Sequence, residues 1–124
     1  ANGEFMQLGY ALDFLDLVKR VFNMDLDFEE TSIPKLDQII AALSQAILTK
    51  KIPPEAGGDI MKKASGFLSV VIWRNIGGGF ISSNIGYGVN INGTNAFVYN
   101  RIGRRLQGDA SCDVTSFYEE LKKL

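Results

Sequence analysis

A chain of 124 residues, 46% apolar and 22% charged, suffices for one globular domain around a single core and needs no second. Its formal net charge of −1 gives no global field to draw in nucleic acid or an anionic bilayer, and no apolar run nears the roughly 20 residues that cross a membrane. With no histidine, Ser-His and Cys-His catalysis are excluded and zinc loses its commonest ligand. The average hides a division: positions 1–59 hold ten acidic and five basic side chains, and positions 60–124 hold four and eight. Either the two halves attract each other or one face meets a charged partner. The single cysteine, Cys112, cannot form an internal disulfide. A reducing compartment, the cytoplasm, is therefore expected, as is the absence of a secretory leader.

Residues 1–5 read as a remnant of cloning, with Met6 as the native start of a single domain over 6–124. Leu8, Ala11, Leu15, Val18 and Phe22, joined by Phe14 and Val21, recur at helical spacing opposite Asp13, Asp16, Lys19 and Arg20, which predicts a first amphipathic helix. After an acidic break from Asp25 to Glu30, Thr31 or Ser32 caps a second helix that tolerates Pro34 in its first turn. Leu36, Ile39, Ile40, Leu43 and Ile47 form its buried stripe. Lys50 to Gly58 reads as a loop, and a third helix runs from near Asp59 to about Ile76. Periodicity alone does not separate helix from strand over Phe67 to Trp73. Continuity with Ile60 and Ala64, and a glycine at 77 placed for a left-handed helix end, favour helix.

Phe80 to Ile85, Tyr87 to Asn92 and Asn95 to Tyr99 then alternate as three short antiparallel strands, the last two joined at Asn92-Gly93. Ile102, Leu106 and Gly108 mark a short helix, and Ser111 or Asp113 caps a last one bearing Val114, Phe117, Leu121 and Leu124. The predicted class is α+β: three helices, a three-stranded meander and two helices, with the helices on one side of the sheet.

Two segments carry a resemblance. Asp27, Phe28, Ser32, Leu36 and Asp37 surround the start of the second helix; Gly66, Phe67, Leu68, Val71, Ile72, Arg74, Asn75, Gly77 and Gly78 run along the third. With Arg105, Leu106, Gly108 and Phe117-Tyr118, this order resembles a group of small bacterial domains of uncharacterised function, over most of residues 25–121. Ser69-Val70 stand where that group usually has Gly-Glu, and Phe80 where it has Trp. The resemblance implies a fold and carries no reaction.

Chemistry-bearing patterns are few. Asp25, Asp27 and Glu29 alternate like a calcium loop, but Glu30 occupies the obligatory glycine place and Leu36 that of the last glutamate, so a solvated acidic turn is expected and no metal. Gly77 to Gly79 leave a helix for a strand, the wrong polarity for a phosphate cradle, and Gly86 and Gly88 read as a bend or bulge, so no cofactor is expected. Cys112 near a helix start is a structural cysteine or a reactive thiol without a base. Asp13 with Asp16 and Glu119 with Glu120 sit on helix surfaces. Arg101, Arg104 and Arg105, with Arg74, form the best polar cluster, either a solvated face or a grip on phosphate or carboxylate.

Most of the aromatics Trp73, Phe80, Tyr87, Phe97, Tyr99, Phe117 and Tyr118 are expected in the core. Alternation puts Tyr87, Val89 and Ile91 on one side of the second strand and Asn90 and Asn92 on the other, leaving an asparagine-bearing face that, with Tyr87 and Tyr99, suits docking by another chain. The leading expectation is thus a non-enzymatic module, of inhibitor or immunity type for instance, that binds another protein or a second copy of itself through the sheet face or edge. Neither nucleic acid nor a membrane is expected as a partner. The alternative is a small-molecule binder or enzyme whose arginines hold an anionic ligand between sheet and helices.

Overall fold

A computed structural model describes residues 2–84 and 86–124; Ala1 and Ile85, the latter expected at the end of the first strand, lie outside the described residues. Helices α1 (Asn2–Phe22), α2 (Ser32–Leu48) and α3 (Gly57–Asn75) precede strands β1 (Gly79–Ser83), β2 (Gly86–Ile91) and β3 (Thr94–Ala96). Helices α4 (Val98–Leu106) and α5 (Val114–Lys122) close the chain, with single 3-10 turns at Pro54–Ala56 and Ala110–Cys112. This is the α+β order expected of the sequence, and the backbone is already helical at Asn2. None of the described helices is long and apolar enough to cross a membrane.

Helix α3 is the axis of the core, buried at every position from Ala64 to Ile72. Helix α1 lies against it so closely that a Cβ at Gly66 would stand 2.6 Å from the carbonyl oxygen of Gln7 and 2.7 Å from Cβ of Tyr10. Beside this crossing Phe67 meets the rings of Phe14 and Phe28, at centroid distances of 5.4 and 5.6 Å. The helix ends as its glycine predicts: the N–H groups of Ile76 and Gly77 both donate to the Ile72 carbonyl, and Gly77 takes a φ of 111°. Gln7, fully buried on α1, donates its amide to the carbonyls of Ile81 (3.1 Å) and Gly88 (3.3 Å), pinning α1 to the sheet.

The sheet runs in the order β1-β2-β3, antiparallel throughout, pairing Phe80 with Val89 and Val89 with Ala96. Val89, Ile91 and Ala96 share its buried face; Asn90 and Asn95 occupy the other, and Asn90 donates to Asn95 at 2.6 Å. At the hairpin Asn92 and Gly93 both have positive φ, 51° and 86°, as a two-residue turn between twisted strands demands.

The structure departs from expectation at the third strand. It ends at Ala96, and Val98 and Tyr99, read as strand, form the first turn of α4. The cause lies in β2. A Cβ at Gly88 would collide with the Ala96 carbonyl oxygen and one at Gly86 with the side-chain oxygen of Asn100, so these glycines let the chain fold back over β2 instead of extending the ladder. Val98, Ile102 and Leu106 then bury one stripe of α4. Smaller differences follow: α3 begins at Gly57, Leu124 is exposed and does not extend the stripe of α5, and Thr31 makes no capping bond. The start of α2 is fixed by Ser32 instead, whose hydroxyl donates to the Asp27 carboxylate (2.9 Å) and accepts from the Asp27 N–H.

The division of charge is used internally. Acidic groups of the first half meet basic ones of the second in the pairs Arg74–Glu29 (2.8 Å) and Lys122–Glu30 (3.7 Å), and Tyr118 donates to Glu30 at 2.8 Å. The ion pairs are solvent-accessible and contribute at most about 1 kcal/mol each. The firmer joint is Asp37, whose carboxylate accepts the N–H groups of Val114 (2.6 Å) and Thr115 (2.9 Å) and the Thr115 hydroxyl, so that a side chain of α2 caps α5.

Candidate functional site

The structure separates the four arginines. Arg74 is in the last turn of α3 and paired with Glu29, whereas the other three are on α4 and none of them lines a hollow with it. Arg101 and Arg104, one turn apart, line a shared hollow of about 250 Å³ with Asn100, Phe97 and Phe117. Arg105, one residue on, lies outside it. Within the hollow Arg101 lies over the Phe117 ring, 5.0 Å from its centroid, and its Nη2 makes long hydrogen bonds to the carbonyls of Ser111 (3.5 Å) and Asp113 (3.4 Å). Its Nε–H is buried and finds no acceptor among the described residues, a state that costs about 1–3 kcal/mol. Arg104 is exposed and forms no ion pair among the described residues.

The acids nearest these arginines serve the backbone. The Ser111 hydroxyl, then the Cys112 thiol, bond to the Asp109 carboxylate and hold it below the ordinary carboxylate range, with Arg104 a lesser contributor. The Ser116 N–H does the same for Asp113 as it caps α5 (2.9 Å), Arg101 adding a smaller effect. Both carboxylates stay ionised, but neither pairs with a guanidinium, so the positive end of α4 is only partly compensated.

The hollow continues along α4. A second depression, of about 210 Å³, shares Asn100 and Arg104 with the first and adds Met61, Tyr99, Gly103 and Gln107. A third, of about 300 Å³, takes up Met61, Gly103 and Gln107 and ends among Ile47, Leu48 and Leu106. Through these shared residues the three form an open trough along α4, with Arg101 and Arg104 beside Phe97 and Phe117 in the first hollow and apolar side chains in the third. Sequence reasoning found Arg101 and Arg104 but missed Asn100 and Gln107, although Asn100, Arg104 and Gln107 stand at i, i+4 and i+7 on the polar face of α4. Phe97 and Phe117, two of the aromatics most of which were expected in the core, are half-buried walls of the hollow.

The expected docking residues of the sheet are all engaged. Tyr87 packs against Tyr10 (6.5 Å) and, edge-on, against Tyr99 (5.6 Å), with Tyr99 on α4 and not on a strand. Besides its bond to Asn95, Asn90 accepts the Gly93 N–H at 3.2 Å, and Asn92, in the turn, donates to the Leu124 carbonyl at 2.9 Å. Among the described residues the exposed aromatic is Trp73, 44% exposed and packed at a tilt on Phe80 of β1 at 5.5 Å. It is an exception to the expectation that most of these aromatics lie in the core. A run as apolar as Phe67 to Trp73 does not show which residue of its last turn faces out.

The remaining motifs are structural. The alternating acids serve the turn: Asp27 accepts the Glu29 N–H (3.0 Å) and the Ser32 hydroxyl, which lower its pKa. No group of three or more Cys, Asp or Glu side chains among the described residues is placed to hold a metal ion. Cys112 is buried and donates to Asp109 (3.4 Å). Comparisons with known protein families, with curated proteins and with solved structures find no match to this chain.

Proposed function

We propose that the chain is a small cytoplasmic protein-binding module, of the bacterial group its sequence resembles, that docks another protein along the outer edge of β1; an inhibitor or immunity role is one form of this. The observation that carries the reading is Trp73. It is an amphipathic anchor of the type that dominates binding hot spots, packed on Phe80 of a strand that among the described residues pairs with a neighbour on one side only. An edge strand of this kind accepts an added strand through its main chain. Because Asn90, Asn92, Tyr87 and Tyr99 are spent within the molecule, the edge replaces the asparagine face as the docking surface.

Trp73 is also the sole tryptophan, so its emission reports its surroundings. The test is affinity capture from the source cells with the wild-type chain and with Trp73→Ala, together with light scattering of the wild type alone. A stoichiometric partner that blue-shifts Trp73 and is lost with a folded Trp73→Ala supports the reading, and a Trp73-dependent dimer makes the partner a second copy. A partner captured equally by both proteins, or a monomer that captures nothing, defeats it.

A further inference from the structure

Resting on that protein-binding reading, we infer that the trough along α4 is a second recognition site, one that takes an extended acidic segment of the partner polypeptide with a large apolar side chain beside its carboxylate. Arg101 and Arg104 supply the anionic specificity. They line one hollow from successive turns of α4, which Asn100 also lines, while the neighbouring carboxylates of Asp109 and Asp113 are committed to Ser111, Cys112 and Ser116. Arg101 is held over the Phe117 ring, 5.0 Å from its centroid. Planar guanidinium forks of this kind favour carboxylates, which they bind with two parallel hydrogen bonds.

The shape selects a peptide over a small anion. The hollow does not close; it opens past Arg104 and Gln107 onto Met61, Leu106, Ile47 and the exposed Leu48. A carboxylate seated between Arg101 and Arg104 thus leaves the next side chains of an extended segment facing an apolar floor. Met61 lies directly over Gly103, where a Cβ would come within 2.5 Å of its methyl, and its flexible thioether can shift to admit an aliphatic or aromatic group.

The experiment is selection of a random twelve-residue phage library on the full chain, followed by fluorescence anisotropy of the enriched peptides against wild type, Arg104→Glu, Leu48→Ala and Trp73→Ala. Arg104 and Leu48 are exposed, so their variants are expected to fold, which far-UV CD checks. Enriched sequences should place Asp or Glu within three residues of Leu, Phe or Trp. They should weaken about tenfold or more with Arg104→Glu and several-fold with Leu48→Ala, and bind Trp73→Ala unchanged. Acetate and inorganic phosphate should not compete below high millimolar concentration; competition by either at low concentration makes the site a small-anion site and overturns the inference. Enriched peptides that lack acids, or that bind Arg104→Glu as well as wild type, also overturn it. If they instead lose binding only to Trp73→Ala, the edge reading stands and the trough falls; a library that yields no binder speaks against the trough alone.

Discussion

Gly66→Ala is the sharpest test of how the core is held. In an exposed helix interior the change would stabilise by about 1 kcal/mol, because alanine loses less backbone freedom on folding than glycine. Here the new Cβ meets the Gln7 carbonyl oxygen at 2.6 Å, the Tyr10 Cβ at 2.7 Å and the Ala11 nitrogen at 3.1 Å. None of these atoms belongs to a flexible side-chain end, so relief requires moving the α1 backbone. That helix is not free to move: Gln7 is bonded to two sheet carbonyls and Phe14 is seated on Phe67. Overpacking of a rigid contact costs about 1–3 kcal/mol and sometimes more, and sets strain against the propensity gain. The net expectation is a loss of about 2 kcal/mol, or roughly 8 °C in Tm for a domain of this size. Thermal and urea unfolding followed by CD reads this directly, with Gly58→Ala as control, since a Cβ there meets nothing within 4 Å and should leave stability equal or higher. A Gly66→Ala protein as stable as wild type would show that α1 does not lie against α3 as described.

Three further outcomes follow from the joints. Asp37→Ala removes the acceptor of two α5 N–H groups and should cost about 1–2 kcal/mol by urea unfolding, with Asp37→Asn losing less because one oxygen remains. The carboxyls of Asp27, Asp109 and Asp113 are held below the ordinary 3.8, by the Glu29 N–H, the Ser111 hydroxyl and the Ser116 N–H respectively. The unfolded chain therefore takes up protons first: their contribution is complete well above pH 3.8 and is lost as pH falls below it, and Asp27→Asn should flatten the acid limb of a Tm-against-pH curve. Burial, and then its bond to Glu30, raise the pKa of Tyr118 above the ordinary 10. Its contribution is thus complete below pH 10 and lost as pH climbs past it, and the difference between native and urea-unfolded phenol titrations at 295 nm should shrink in Tyr118→Phe.

The helices and the meander were legible because their signals are local. Leu36, Ile39, Ile40 and Leu43 lie at helical spacing and are buried, and the Asn92-Gly93 pair demands positive φ and has it. The boundary between β3 and α4 was not, because Phe97, Val98 and Tyr99 suit a strand by propensity and what overrides them is distant. The glycines of β2 open space that only the folded-back chain fills. Yet Val98, Ile102 and Leu106 stood at i, i+4 and i+8 throughout. The site was half legible for the same reason: Arg101 and Arg104 are near neighbours on one helix, whereas Phe117 and Met61 reach the trough from α5 and α3.

Several residues around the start of α2 and along α3 share one property in this fold: they make its joints. Asp27 and Ser32 set the start of α2, and Phe28 and Gly66 flank the packing of Phe67. Asp37 caps α5, Asn75 donates to the Phe28 carbonyl at 2.8 Å, and Gly77 ends α3. A pattern of joints specifies an architecture and leaves the exposed surface free to differ. Trp73 and Arg104 lie outside the pattern, on parts of α3 and α4 that the joints do not use. Arg104→Glu should therefore leave stability within about 0.5 kcal/mol of wild type while weakening recognition of acidic peptides about tenfold or more; Asp37→Ala should do the reverse, losing stability while the folded fraction still binds. If Arg104→Glu unfolded the domain as Asp37→Ala does, the separation of scaffold from surface would be wrong and the trough would be a structural feature.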